Sequence, residues 1–167
     1  DGQGASLALI HPRWNNALPT SWRASTLPGG TPGGPDLAAH DTPTWWLAQW
    51  GTTNNFDAAA TNDWDRDGLA NWAEYIVGTQ PTNATSVLQL NIASTGSRPV
   101  ITCPTIPAGS EYGGKQRYYT LESRTNLVSA VWTAIPGFTD VCGTGQTITY
   151  TNAPVESNFL RVKADLR

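Results

Sequence analysis

The sequence predicts a mainly β protein with a small helical insert and a C-terminal β-sandwich. Three observations carry this expectation. The 167 residues include 16 Gly and 12 Pro, which interrupt helices and supply turns. From Ser86 onward, short segments alternate apolar and polar residues at hairpin-like intervals, the pattern of half-buried strands. Helical periodicity is confined to two short stretches, 42–51 and 69–77. The length suits one domain or two small ones. We divide it into 1–41, a strand and a Gly/Pro-rich linker; 42–85, the helical insert; and 86–167, the sandwich.

Charge narrows the function classes. Only 14% of the residues are charged, and the net charge is -3, where an ordinary domain is about one-quarter charged. Basic residues are few and scattered, so no nucleic-acid footprint is expected. No apolar run reaches membrane-spanning length, so no membrane insertion is expected. Abundant Thr, Ser and Asn fit an extracellular or cell-surface setting. The chain opens at Asp1 inside patterned sequence and contains no Met. We expect either a processed piece of a larger precursor or an artificial boundary.

Element by element, "GASLALIHP" predicts a strand over Ala5–Ile10. It either packs on the C-terminal sheet or adds to the sheet of a neighbouring chain. "WRASTLPGGTPGGPD" reads as a run into a linker. In "TPTWWLAQWG", Thr42 suits an N-cap, Pro43 the first helical position and Gly51 the stop. Trp46 and Trp50 then share one face. Trp45, Trp46 and Trp50, with Tyr118 or Tyr119, are candidates for stacking on a glycan; the competing expectation is that the clustered Trp side chains are core. "TNNFDAAATN" is too short and too polar to predict a full helix. In "LANWAEYIV", Leu69, Trp72, Ala73 and Ile76 recur at helical spacing, and Gly78 supplies the stop.

Between those two segments lies "DWDRDGLANWAE". Asp63, Asp65, Asp67 and Glu74 place four of the thirteen carboxylates within twelve residues. Asp63, Asp65, Asp67, Gly68, Asn71 and Glu74 occupy positions 1, 3, 5, 6, 9 and 12 of a calcium loop. Ca²⁺ takes six to eight oxygens, and alternate residues of a tight loop turn theirs inward. Gly68 permits the turn, Leu69 contributes its carbonyl, Asn71 ligates directly or through water, and Glu74 closes the shell. The competing reading is a solvated acidic turn, but four carboxylates held this close repel one another without a cation. We therefore expect Ca²⁺.

From Ser86, "SVLQLNIA", "RPVITC", "RYYTLESR", "VWTAIPG", "TITYTN" and "NFLRVKA" read as the strands of an immunoglobulin/fibronectin-like sandwich. In the last, Phe159 and Arg161 share one face, and Leu160, Val162 and Ala164 the other. Cys103 and Cys142 lie in this part, and in an exported protein a pair reads as a disulfide. Closing its loop of about 40 residues would contribute roughly 4 kcal/mol; two free buried thiols are the alternative.

The front segments "GASLALIHP", "SWRAS" and "GGTPGGPD" resemble the closing part of bacterial lamin-tail domains, with Asp36 where those carry Asn. The acidic loop resembles dockerin and thrombospondin type 3 calcium motifs. "DWDRDGLANWAEYIVGTQPTNATSVLQL", "YYTLESRTNLVSAVWTAIPG" and "NFLRVKA" together are similar to a C-terminal module of secreted proteins of Verrucomicrobia-like and planctomycete-like bacteria, with Leu160 in place of Tyr. That resemblance implies Ca²⁺ at Asp63, Asp65, Asp67, Leu69, Asn71 and Glu74, and an extracellular setting.

Catalytic motifs are not evident. H-E-x-x-H, G-x-S-x-G and phosphate-loop patterns are missing from the sequence. The histidines are His11 and His40, and among the other carboxylates Glu111, Glu122, Asp140 and Glu156 lack a distinctive context. We expect a non-catalytic structural protein that self-assembles by strand addition, with a glycan-binding accessory module as the alternative. Its expected partners are further copies of itself, a neighbouring domain of the precursor, or a glycan. Asn83-Ala84-Thr85 matches an N-glycosylation sequon.

Overall fold

The computed structural model describes residues 4–95, 98–129, 131–151 and 159–167. Strand residues outnumber helical ones, 33% to 18%, so the mainly β class stands. The chain forms two compact units, Asp1–Tyr75 with Gln80–Ser86, and Ile76–Thr79 with Val87–Arg167.

In the first unit, β1 (Ala5–Leu9) pairs antiparallel with β2 (Trp22–Pro28), with a register shift between Ala5 and Leu7. The predicted strand is present, and among the described strands it pairs with β2, not with the C-terminal sheet. The segment that read as a run into a linker supplies β2. β2 turns polar groups inward, so it lacks the apolar alternation that marks a strand in sequence. Ser25 and Arg23 both bind the buried Asp36 carboxylate. Arg23 Nη2 lies 2.7 Å from Asp36 Oδ2 and also donates to Thr44 Oγ1, while its guanidinium covers the Phe56 ring. Thr31 completes the set with a hydroxyl donated to Asp36 Oδ1.

β3 (Leu37–Ala38) and β4 (Thr42–Pro43) make a two-residue ladder. Thr42 and Pro43 therefore belong to a strand, and α1 runs over Thr44–Gln49, one residue later than the capping pattern suggests. Gly51, at φ +95°, ends it as expected. α2 (Phe56–Thr61) is a helix where the sequence predicts an irregular approach. Its six residues have little intrinsic stability; burial of Phe56 and Ala60, one turn apart, anchors it. α3 spans Asn71–Val77. Trp46, Leu47, Phe56, Ala60 and Tyr75 are core side chains of this unit. Trp46 packs edge-on against both Trp50 and Tyr75.

The second unit holds two antiparallel sheets. One joins β5 (Asn91–Thr95), β6 (Arg98–Pro104) and β10 (Thr147–Tyr150) in the order β10-β6-β5. The other is built on β7 (Arg117–Arg124), which pairs with β8 (Thr133–Ala134), β9 (Val141–Cys142) and β11 (Phe159–Leu166). Cys103 and Ile148 from the first sheet form one apolar cluster with Tyr119 and Leu121 from the second. Leu160, Val162 and Ala164 pack against it, as the alternation in β11 predicts.

The expected disulfide is not formed: Cys103 and Cys142 are free thiols. Cys103 is fully buried in that apolar cluster, and burial pushes its thiol pKa up. Cys142 lies on a strand of the other sheet, where its Sγ donates to Gln116 Oε1 at 3.2 Å. The sequence shows two turn-flanked cysteines; it does not show that their side chains are committed to different partners.

Candidate metal centre

The loop between α2 and α3 is wound by its own acidic side chains. Asp63 accepts hydrogen bonds from the backbone N–H of Arg66 at Oδ1 (2.6 Å) and of Gly68 at Oδ2 (3.0 Å). Asp65 Oδ1 accepts from Asp67 N, and Asp67 Oδ1 accepts from Leu69 N. Each Asp thus folds back over the residues that follow it, the Asx geometry these side chains favour. Two residues take positive φ, Arg66 at +64° and Gly68 at +98°. The Gly68 conformation is the one the sequence predicts.

These turns bring Asp63, Asp65 and Asp67 together. One carboxylate oxygen from each lies within 4.8 Å of the others. All three side chains are half-buried. Glu74 is not in that group of three. It is fully buried on the first turn of α3, beside the equally buried Asn71.

Two oxygens of the expected ligand set are buried without a hydrogen-bond partner, Asp65 Oδ2 and Asn71 Oδ1. The second is set by α2. Asn71 Nδ2 donates to the Ala59 carbonyl at 2.7 Å, which fixes the amide and turns Oδ1 the opposite way. A buried acceptor left unmatched costs about 1–3 kcal/mol, so two of them in one acidic loop call for a donor or a cation. The donor set is all oxygen and rich in carboxylate, the chemistry of a hard cation such as Ca²⁺.

Sequence reasoning missed the residues that hold the loop mouth. Asn62 accepts from Asn71 N through its backbone carbonyl, at 2.8 Å, and from Asp63 N through its side chain. Ala59 and Asn62 belong to or follow α2, so overlooking that helix concealed both. No sequence signal marks a backbone carbonyl as an orienting group.

The other candidate sites are dispersed. Trp46 is 3% exposed, which leaves no face for a sugar. Trp45 and Trp50 are half-buried, Trp50 against Trp46 and Trp45 near His11. Tyr119 is fully buried, and Tyr118 lies under the Arg167 guanidinium. Of the remaining carboxylates, Glu122 pairs with Arg161 and Asp140 with Arg167, Glu111 is exposed, and Glu156 lies outside the described residues. Asn83 is exposed, and its Oδ1 accepts from both the hydroxyl and the N–H of Thr85. No described helix is long and apolar enough to cross a membrane.

Comparison with protein-family models, with curated proteins and with solved structures finds no match in any of the three.

Proposed function

We propose that this chain is a non-catalytic, calcium-braced structural protein of the bacterial cell surface or matrix. The observation that carries the proposal is the pair of buried, unmatched oxygens, Asp65 Oδ2 and Asn71 Oδ1, in a loop where three Asp carboxylates converge. Asp63, Asp65, Asp67, the Leu69 carbonyl, Asn71 and Glu74 would hold Ca²⁺. A single site of this kind in an extracellular module binds at roughly 10⁻⁴ to 10⁻³ M. It would brace the fold rather than sense transient signals. Calorimetric titration of chelator-treated protein with Ca²⁺ should give one site in that range, and Glu74→Gln should weaken it at least about tenfold through loss of the closing carboxylate. Absence of Ca²⁺ binding at 10 mM would overturn the reading.

The second unit is best read as a small sandwich, since residues from both sheets meet in one apolar cluster. Exposed Asn83 is the proposed point of glycan attachment. Self-assembly by strand addition draws support from β1. Among the described strands it pairs only with β2, and its Leu7 is 73% exposed. An open, partly apolar strand edge is a template for pairing with another chain. Sedimentation velocity at rising concentration should show association that Leu7→Lys suppresses; a monomer throughout would exclude it. A second reading, a glycan-binding accessory module, is supported by an uncharged groove beside Trp64.

A further inference from the structure

We infer that the groove beside Trp64 is a binding site for a neutral saccharide, a deepening of the glycan-binding reading on which it rests. The groove measures about 310 Å³, near the lower end of the roughly 300–1,000 Å³ of small-ligand sites. Thr52, Thr53, Asn54, Asn55 and Asn62 supply its polar groups, Trp64 supplies an aromatic wall, and no ionised side chain lines it.

That combination selects for sugars. Carboxamides and hydroxyls each offer both donors and acceptors, which matches a ligand whose hydroxyls do the same. An indole presents a broad apolar face with one polar atom, which suits the C–H face of a pyranose. Without a charged group, the lining gives no preference to anionic ligands. Peptides are less well served, because the groove offers no apolar pocket for side chains beyond Trp64 and two alanines, Ala58 and Ala59.

The polar groups are available. The side chains of Thr53, Asn54 and Asn55 are exposed and make no hydrogen bond within the protein among the described residues. Asn62 Oδ1 is used by Asp63 N, so its Nδ2 remains to donate. The wall is positioned by the acidic loop. Asp63 and Asp65 turn their carboxylates toward one another, and Trp64, between them, lines the groove. A cation that fixes the two carboxylates would therefore fix the indole as well, and saccharide binding should be calcium-dependent.

The test is calorimetry and saturation-transfer NMR with a panel of neutral hexasaccharides, the β-1,4-linked glucan, xylan and mannan and the α-1,4-linked glucan, in Ca²⁺ and in EDTA. At least one should bind in Ca²⁺. Trp64→Ala should weaken it at least tenfold with the melting temperature retained, and EDTA should likewise weaken binding to the wild type at least tenfold. Should Trp64→Ala fail to fold, Asn54→Ala, at an exposed position, should weaken binding at least threefold. No binding by any of the four at 5 mM, or affinity unchanged in the folded variant, would overturn the inference. The calcium reading fails separately: it falls if Ca²⁺ does not change the melting curve, whatever the sugars do.

Discussion

Asp36 shows how a single residue decides the local fold. Its side chain is 4% exposed, and that of its partner Arg23 is 13% exposed. Burial pushes the carboxyl pKa up. Hydrogen bonds from Thr31 and Ser25, the Arg23 charge and the Thr26 backbone together outweigh burial, and the net shift is below the ordinary 3.8. A carboxylate with a depressed pKa contributes stability that is fully present above its unfolded-state value and is lost as pH falls through the folded one. The first unit should therefore loosen below about pH 4. The half-buried Arg23 guanidinium takes its counter-charge from this carboxylate. Asp36→Asn should cost about 3–5 kcal/mol at pH 7 by stranding Arg23 and should flatten the acid limb of the stability curve. Urea unfolding at pH 7 and pH 3 measures both, and a loss below about 1 kcal/mol at pH 7 would show that the pair is not structural. Sequence alone could not pair Arg23 with Asp36, because the twelve residues between them include the rest of β2 and a Gly/Pro turn whose path only the fold defines.

Among the elements, α3 was the most legible. Its stop at Gly78 and its position after the acidic loop follow from sequence, but the helix starts at Asn71 and buries Asn71, Glu74 and Tyr75, while Trp72, Ala73 and Ile76 of the expected apolar face are half-buried. The reason Gly is needed at 78 goes beyond its φ of +87°. A Cβ there would lie 2.6 Å from Arg117 Cζ. Arg117 cannot easily give way: it is 1% exposed, donates to the Ile76 carbonyl at 2.6 Å and the Pro107 carbonyl at 2.8 Å, and covers the Tyr112 ring. Gly78→Ala should destabilise by about 1–3 kcal/mol, combining a left-handed backbone with overpacking; circular dichroism melts would detect it, and an unchanged midpoint would mean that Arg117 relocates freely. α2 and β2 were less legible for opposite reasons. α2 is too short for propensity to reveal and depends on burying Phe56 and Ala60. β2 lacks an apolar alternation because its inward residues, Arg23 and Ser25, face a polar cluster.

For the whole molecule, composition was enough to predict a mainly β chain, and spacing was enough to bring Asp63, Asp65 and Asp67 to one point. Periodicity did not reveal the partner of β1, nor that Cys103 and Cys142 remain thiols; both depend on which surfaces meet in three dimensions. On the proposed reading, a bound cation braces this fold. Thermal denaturation in 10 mM CaCl₂ and in excess EDTA tests it most directly. With a dissociation constant near 10⁻⁴ M, the bound ion stabilises the native state by about 2.7 kcal/mol, and for a chain of this size the midpoint should fall by roughly 5–10 °C on chelation. Superimposable melting curves in calcium and in EDTA would contradict it.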